Sequence, residues 1–141
     1  MNIYRATNVS EKLIQGIANL LPQLSSNATI PSLDELKLLL ADENCHLLVA
    51  EDDGVIAGML SLVVVNIPTG RKAWIEDVVV DASFRGRNIG IKLVEKAKEI
   101  ATQIGAKKLY LTSNPSRQAA HRLYAKCGFE TYNTTVFRLK K

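Results

Sequence analysis

Cysteine and histidine are nearly absent from this 141-residue chain. Cys45, Cys127, His46 and His121 are too few for a disulfide framework and too scattered for any zinc-ligand spacing. Long hydrophobic runs are missing as well. The most apolar stretch, Val55–Val65, falls short of the roughly 18 residues that a membrane-spanning helix needs. Met1–Asn8 carries Arg5 and no apolar run, so no signal peptide is expected. The expectation is a soluble, cytoplasmic protein with reduced thiols. N-x-S/T matches at Asn8, Asn27 and Asn133 then carry no meaning. Neither the dinucleotide pattern G-x-G-x-x-G nor the P-loop pattern G-x-x-x-x-G-K-S/T occurs. Internal repeats, low-complexity tracts and linkers are also lacking.

The composition is ordinary for a globular chain, with 47% apolar and 23% charged residues. Length predicts one domain over 1–141, large enough to bury a core without a metal or disulfide. Eighteen basic against fourteen acidic residues give a net charge of +4 and a pI near 9.1. That is a mild bias toward an anionic partner. It is not the dense Lys/Arg stripe of a nucleic-acid binder. Neither a nucleic acid nor a membrane is expected as partner.

Local patterns predict a mixed order of elements. Met1–Arg5 reads as a strand. Ser10 caps a helix over Glu11–Leu21, which Pro22 is expected to break. Ser32-Leu33-Asp34-Glu35 is a capping box at the start of a second helix. His46–Glu51 and Val55–Val65 read as strands joined by an Asp-Gly hairpin turn. Asn66–Gly70 is a second turn, followed by a strand over Arg71–Val80. A polar loop, Asp81–Asn88, leads to a helix over Ile89–Ile104, which Gly105 ends. Lys107–Ser113 is a strand, Asn114-Pro115 opens a helix to Cys127, and Phe129–Leu139 closes the chain as one or two strands. The fold class is α/β (α+β): a mixed sheet with helices on both faces. The strands on either side of the long helix form a βαβ unit and should be parallel.

The chemistry concentrates where the β-branched run Val78-Val79-Val80 feeds the loop Asp81–Asn88 and the helix behind it. The first N–H groups of a helix have no internal partner, and the helix dipole adds positive potential there. Such a start binds anions, commonly phosphate. Arg85 and Arg87 add guanidinium groups, and Gly86 and Gly90 permit close backbone approach. From the pattern alone, the site holds a pyrophosphate-like anion; the competing reading is a solvated turn with two surface arginines.

Arg85-Gly86-Arg87-Asn88-Ile89-Gly90 resembles the acetyl-coenzyme A loop, Gln/Arg-x-x-Gly-x-Gly/Ala, of the GCN5-related N-acetyltransferases (GNAT). A second hallmark follows at the right distance in Asn114–Glu130, with the core Ala120-His121-Arg122-Leu123-Tyr124-Ala125-Lys126-Cys127-Gly128-Phe129-Glu130. The sequence departs from the family at Asn88, where the loop has glycine. Asparagine is the next most tolerant residue of left-handed backbone.

The resemblance implies a GNAT fold and the transfer of acetyl from acetyl-coenzyme A to a primary amine of a small molecule or peptide, by direct attack in a ternary complex. The amides of Arg85, Gly86, Arg87, Asn88, Ile89 and Gly90 would hold the pyrophosphate. Val78, Val79 and Val80 would line the pantetheine arm through their backbone, and Asn114 would bond it where the parallel strands splay. Tyr124 would give a proton to the leaving thiolate. Glu76 is the candidate base; it and Asp77 are expected on opposite faces of the strand. The acceptor pocket would draw on the 13–32 region, the strand around Trp74 and the final strands. Cys127 reads as a small core residue on the apolar stripe of its helix. Dimerisation is common in the family, and no sequence feature decides it. The alternative function is a non-catalytic module of the same fold that binds or senses coenzyme A.

Overall fold

A computed structural model describes residues 1–141. Its elements run β1 (Asn2–Arg5), α1 (Glu11–Leu24), α2 (Leu33–Ala41), β2 (Cys45–Asp52), β3 (Val55–Ile67), β4 (Gly70–Val80), α3 (Ile89–Gln103), β5 (Lys108–Leu111) and α4 (Gln118–Lys126). The five strands form one sheet in the order β1-β2-β3-β4-β5. Each pair is antiparallel except β4 and β5, which are parallel across the α3 crossover, as the βαβ reading requires.

The local signals act where they were expected. Ser10 Oγ accepts the Leu13 N–H at 3.1 Å and starts α1. At α2, Ser32 Oγ accepts the Glu35 N–H while Glu35 Oε1 accepts the Ser32 N–H, closing the capping box. Asp53 and Gly54 both have positive φ in the hairpin turn, 49° and 79°, which matches strand twist.

Two apolar layers sandwich the sheet. On one face Leu13, Ile17 and Leu20 of α1, with Leu36 and Leu40 of α2, bury against Leu47, Val49, Met59 and Val79. On the other, Leu93, Val94 and Ala97 of α3, with Tyr124 and Cys127 of α4, bury against Leu48, Leu60, Leu62, Ala73 and Ile75. The strand residues alternate between the layers, as a two-sided sheet demands. No helix is long and apolar enough to cross a membrane.

Four expectations are corrected. Pro22 lies inside α1 and does not end it. The missing N–H costs one helical bond, but the ladder resumes with Ser25 N–H donating to Leu21 O at 3.0 Å. Leu21 and Leu24 pack against the core, and that burial carries the helix past the proline. Asn114-Pro115 begins a turn rather than α4. Asn114 Oδ1 accepts from both the N–H and the hydroxyl of Ser116 at 2.9 and 2.8 Å, a competing local arrangement that delays the helix to Gln118. Strand β5 ends at Leu111 rather than Ser113. The segment after Phe129 forms no strand at all; beyond Phe129 its backbone makes no hydrogen bond to the backbone of the rest of the chain.

Candidate active site

One irregularity in β4 creates the site. Met59 pairs with Val79 but Ser61 pairs with Glu76, so β4 carries one extra residue across this stretch. Asp77 absorbs it with φ 54°. Such a bulge bends the strand and re-aims its side chains. The alternation expected of Glu76 and Asp77 is therefore broken: both line the same cavity. Pairing between β4 and β5 stops at Ile75 and Leu111. Beyond it, the edge of Glu76–Val80 that faces away from β3 has no neighbouring strand.

A groove of about 690 Å³ opens along that edge. Val78, Val79 and Val80 form one wall, Arg85, Gly86, Asn88, Ile89 and Gly90 one end, and Arg117, Leu123 and Tyr124 the far side. The Val79 side chain belongs to the α1–α2 core and Ile89 to the other, so these two offer the groove mainly their backbone.

The loop at the end of the groove is held from behind. Asp81 accepts from the Ser83 N–H at 3.0 Å and from the Asn19 side-chain amide at 2.7 Å. The Ser83 bond, more than the others, holds the Asp81 carboxyl below its ordinary range. Gln23 Oε1 accepts the Ala82 N–H at 2.9 Å, tying the loop to α1. Asn88 takes the left-handed conformation, φ 60° and ψ 24°, and caps α3 without any side-chain hydrogen bond. The departure from glycine is thus accommodated, and the first amides of α3 have no side-chain acceptor.

The two arginines differ. Arg85 lines the groove. Arg87 turns away from it: Nη1 lies 3.2 Å from Asp52 Oδ2 and the guanidinium sits over the Phe84 ring at 5.1 Å. Gly90 also has a role beyond ligand approach. A Cβ there would stand 2.5 Å from Leu123 Cδ1, so its absence lets α3 and α4 close on each other.

A second cavity of about 520 Å³ adjoins the groove. Leu24 and Ser25 of the 13–32 region, Glu76, Asp77, Ser113, Asn114, Arg117 and Tyr124 are among its walls. Trp74 does not line it; its ring stacks on Tyr110 at 5.0 Å. The final segment does not line it either. Tyr124 is 8% exposed and, with Val78 and Arg117, borders both cavities. Burial pushes its hydroxyl pKa up, while the Arg117 charge opposes that rise and Cys127 adds to it. Burial also raises the Glu76 carboxyl, and the Asp77 carboxylate raises it further. A carboxyl with raised pKa is better matched to accepting a proton near neutrality.

The sequence reading missed Gln23, Ser113 and Arg117. Ser113 Oγ is buried without a hydrogen-bond partner on the wall of the second cavity. No local pattern marks it, since its setting depends on the parting of β4 and β5. His121, exposed, has Nε2 3.0 Å from Asn114 O. Burial raises the Cys127 thiol, which suits a packing residue rather than a nucleophile.

The family model described as "Acetyltransferase (GNAT) family" matches residues 15–129. The aminoalkylphosphonate N-acetyltransferase of Salmonella typhimurium is 35% identical over 105 residues, covering 72% of this chain and 66% of that protein. The glucosamine 6-phosphate N-acetyltransferase 1 of Oryza sativa is 32% identical over 121 residues, covering 82% and 70%. Across four of the curated relatives, the alignments span from 34% to 70% of the relative's length. Among solved structures, glucosamine-6-phosphate N-acetyltransferase from Arabidopsis thaliana superposes with a TM-score of 0.78 at 22% identity, over 99% of this chain and 98% of that one. An aminoglycoside acetyltransferase from an uncultured soil sample superposes with a TM-score of 0.86 at 21% identity, over 99% and 96%. The fold, the loop at the start of α3 and the extent of the family match agree: this chain belongs to the GNAT acetyltransferase family.

Proposed function

We propose that this protein is an acyltransferase that moves an acetyl group from acetyl-coenzyme A to the primary amine of a small molecule, by direct attack with both substrates bound. The carrying observation is that Tyr124 stands where the two cavities meet. One cavity leads to an anion-binding helix start, and the other is lined by carboxylates.

The Arg85–Gly90 backbone and the uncapped start of α3 would hold the pyrophosphate of the co-substrate, with Arg85 adding charge. The free edge of Glu76–Val80 would take the pantetheine arm as a further strand takes a sheet edge. Asn114 would contact that arm near the thioester. The co-substrate supplies the activated acetyl group. Glu76 would accept a proton from the amine, and the Tyr124 hydroxyl would donate one to the departing sulfur. Arg117 is the one cation lining the second cavity and enters no ion pair. It would offer a partner to an acidic substituent on the acceptor. Phospho-bearing amines such as those named for the Salmonella and rice relatives fit that arrangement. We place the reaction in the cytoplasm, where the free Cys45 and Cys127 stay reduced.

The test is thiol release from acetyl-coenzyme A over a panel of amines, native chain beside Tyr124→Phe. Loss of an acid predicts about a 10²-fold fall in kcat, with coenzyme A affinity kept. Coenzyme A binding without turnover on any amine would overturn the enzyme reading in favour of a binding module.

A further inference from the structure

Helix α4 starts without a cap. Arg117 occupies its N-cap position and makes no side-chain hydrogen bond to the first turn. A helix of nine residues is too short to be stable by itself. What precedes it is a group of bonds centred on Asn114. Asn114 Oδ1 accepts the N–H of Ser116 at 2.9 Å and its hydroxyl at 2.8 Å. Asn114 O accepts the Arg117 N–H at 3.0 Å, and His121 Nε2 lies 3.0 Å from the same oxygen. Both oxygens of Asn114 are therefore in use. Its Nδ2 has no partner in the chain, so toward a ligand Asn114 can only donate.

His121 reaches back seven residues to make its contact. A carbonyl oxygen has no hydrogen to give, so the hydrogen of this bond sits on Nε2. The His121 N–H in turn donates to Arg117 O at 3.1 Å, the first ladder bond of α4. One residue thus grips both ends of the segment 114–117. Asn114 and Arg117 both line the second cavity, and Arg117 lines the groove as well. Tyr124 follows His121 by three residues on the same helix. The exposed imidazole therefore ties the wall that carries Asn114 and Arg117 to the helix that carries Tyr124.

We propose that His121 is a positioning residue. Its Nε2–H, donating to Asn114 O, fixes the Asn114–Arg117 turn on α4 and sets where the Asn114 amide and the Arg117 guanidinium meet the ligands. The ring lines neither the groove nor the second cavity, so it acts through these neighbours and takes no part in proton transfer. The bond stands apart from the acetyl-transfer reading, while the use made of it rests on that reading.

Long-range proton–nitrogen spectra of the full chain, recorded with the ring neutral, should place the His121 hydrogen on Nε2. A hydrogen on Nδ1 would overturn the proposal, and this measurement needs no variant. His121→Ala puts the best helix former at an exposed helical position, so its circular dichroism should match the native spectrum. In that variant the Arg117 amide, which shares the Asn114 carbonyl, should exchange about 5-fold faster, as the loss of one hydrogen bond allows. Calorimetric affinity for acetyl-coenzyme A should fall by about the same 5-fold. His121→Gln can donate to the same oxygen and should restore it to within about 2-fold of native. An affinity unchanged in His121→Ala would overturn the proposal, as would a loss that His121→Gln does not restore. A native chain that binds no acetyl-coenzyme A would overturn the acetyl-transfer reading instead. The His121 tautomer and the Arg117 amide would then still decide whether the imidazole holds the turn.

Discussion

Arg87 is paired with Asp52 at 3.2 Å, while its neighbour but one, Arg85, has no acidic partner and faces the groove. Two guanidiniums of one loop thus have different work. Arg85→Ala should weaken acetyl-coenzyme A binding by about 10-fold, the loss of one charge-assisted contact. Arg87→Ala should change it by no more than about 3-fold, since an exposed ion pair contributes at most about 1 kcal/mol. Calorimetric titration of both variants checks the order; equal effects would mean that Arg87 swings to the ligand.

Glu76 should set the acid limb of the pH–rate profile. Its carboxyl is raised by burial first and by Asp77 second, and only the ionised form accepts a proton. kcat/KM should therefore fall as pH drops through a value above the ordinary carboxyl pKa. Asp77→Asn removes the like charge and should move that limb to lower pH. Glu76→Gln should abolish the limb and lower kcat by about 10²-fold. A limb that stays in place in Asp77→Asn would rule Glu76 out as its source.

Gly16 of α1 lies against Ile56 of β3, where a Cβ would come within 2.6 Å of Ile56 Cβ. The obstructing atom is the branch point of a buried side chain, so α1 itself must move. Overpacking costs roughly 1 to 3 kcal/mol, offset by about 1 kcal/mol of helix propensity. Gly16→Ala should thus destabilise the fold by up to about 2 kcal/mol in urea titration. An unchanged midpoint would show that α1 tilts freely on the sheet.

The Tyr4 hydroxyl donates to Glu51 Oε1 at 2.6 Å. Burial first, then that bond, pushes the Tyr4 pKa up to about 12 from 10.0. A group with raised folded pKa contributes stability that is whole below its unfolded value. The contribution is lost as pH rises from 10.0 to about 12. Urea midpoints across that interval should decline in the native chain more steeply than in Tyr4→Phe, which should cost about 1 kcal/mol at neutral pH. Parallel declines would assign the alkaline loss to other groups.

Sequence alone determined most of the secondary elements, because capping, turn chemistry and periodicity act over a few neighbours. The Ser32–Glu35 box, the Asp53-Gly54 turn and the left-handed Asn88 are local in this sense. The loop at α3 and the Tyr124 helix were legible for the same reason: each is a short pattern joined to an element boundary. Local rules failed where burial or a competing bond outweighed them, as at Pro22 inside α1 and at the Asn114 turn.

Tertiary structure decided what depends on residues far apart in the chain. The parting of the sheet after Ile75 and Leu111 and the capture of Arg87 by Asp52 are of this kind. So are the gathering of Glu76 and Asp77 on one cavity and the isolation of Ser113 Oγ. A strand pattern in Phe129–Leu139 states only a preference; whether it forms a ladder depends on an edge that the rest of the fold must supply.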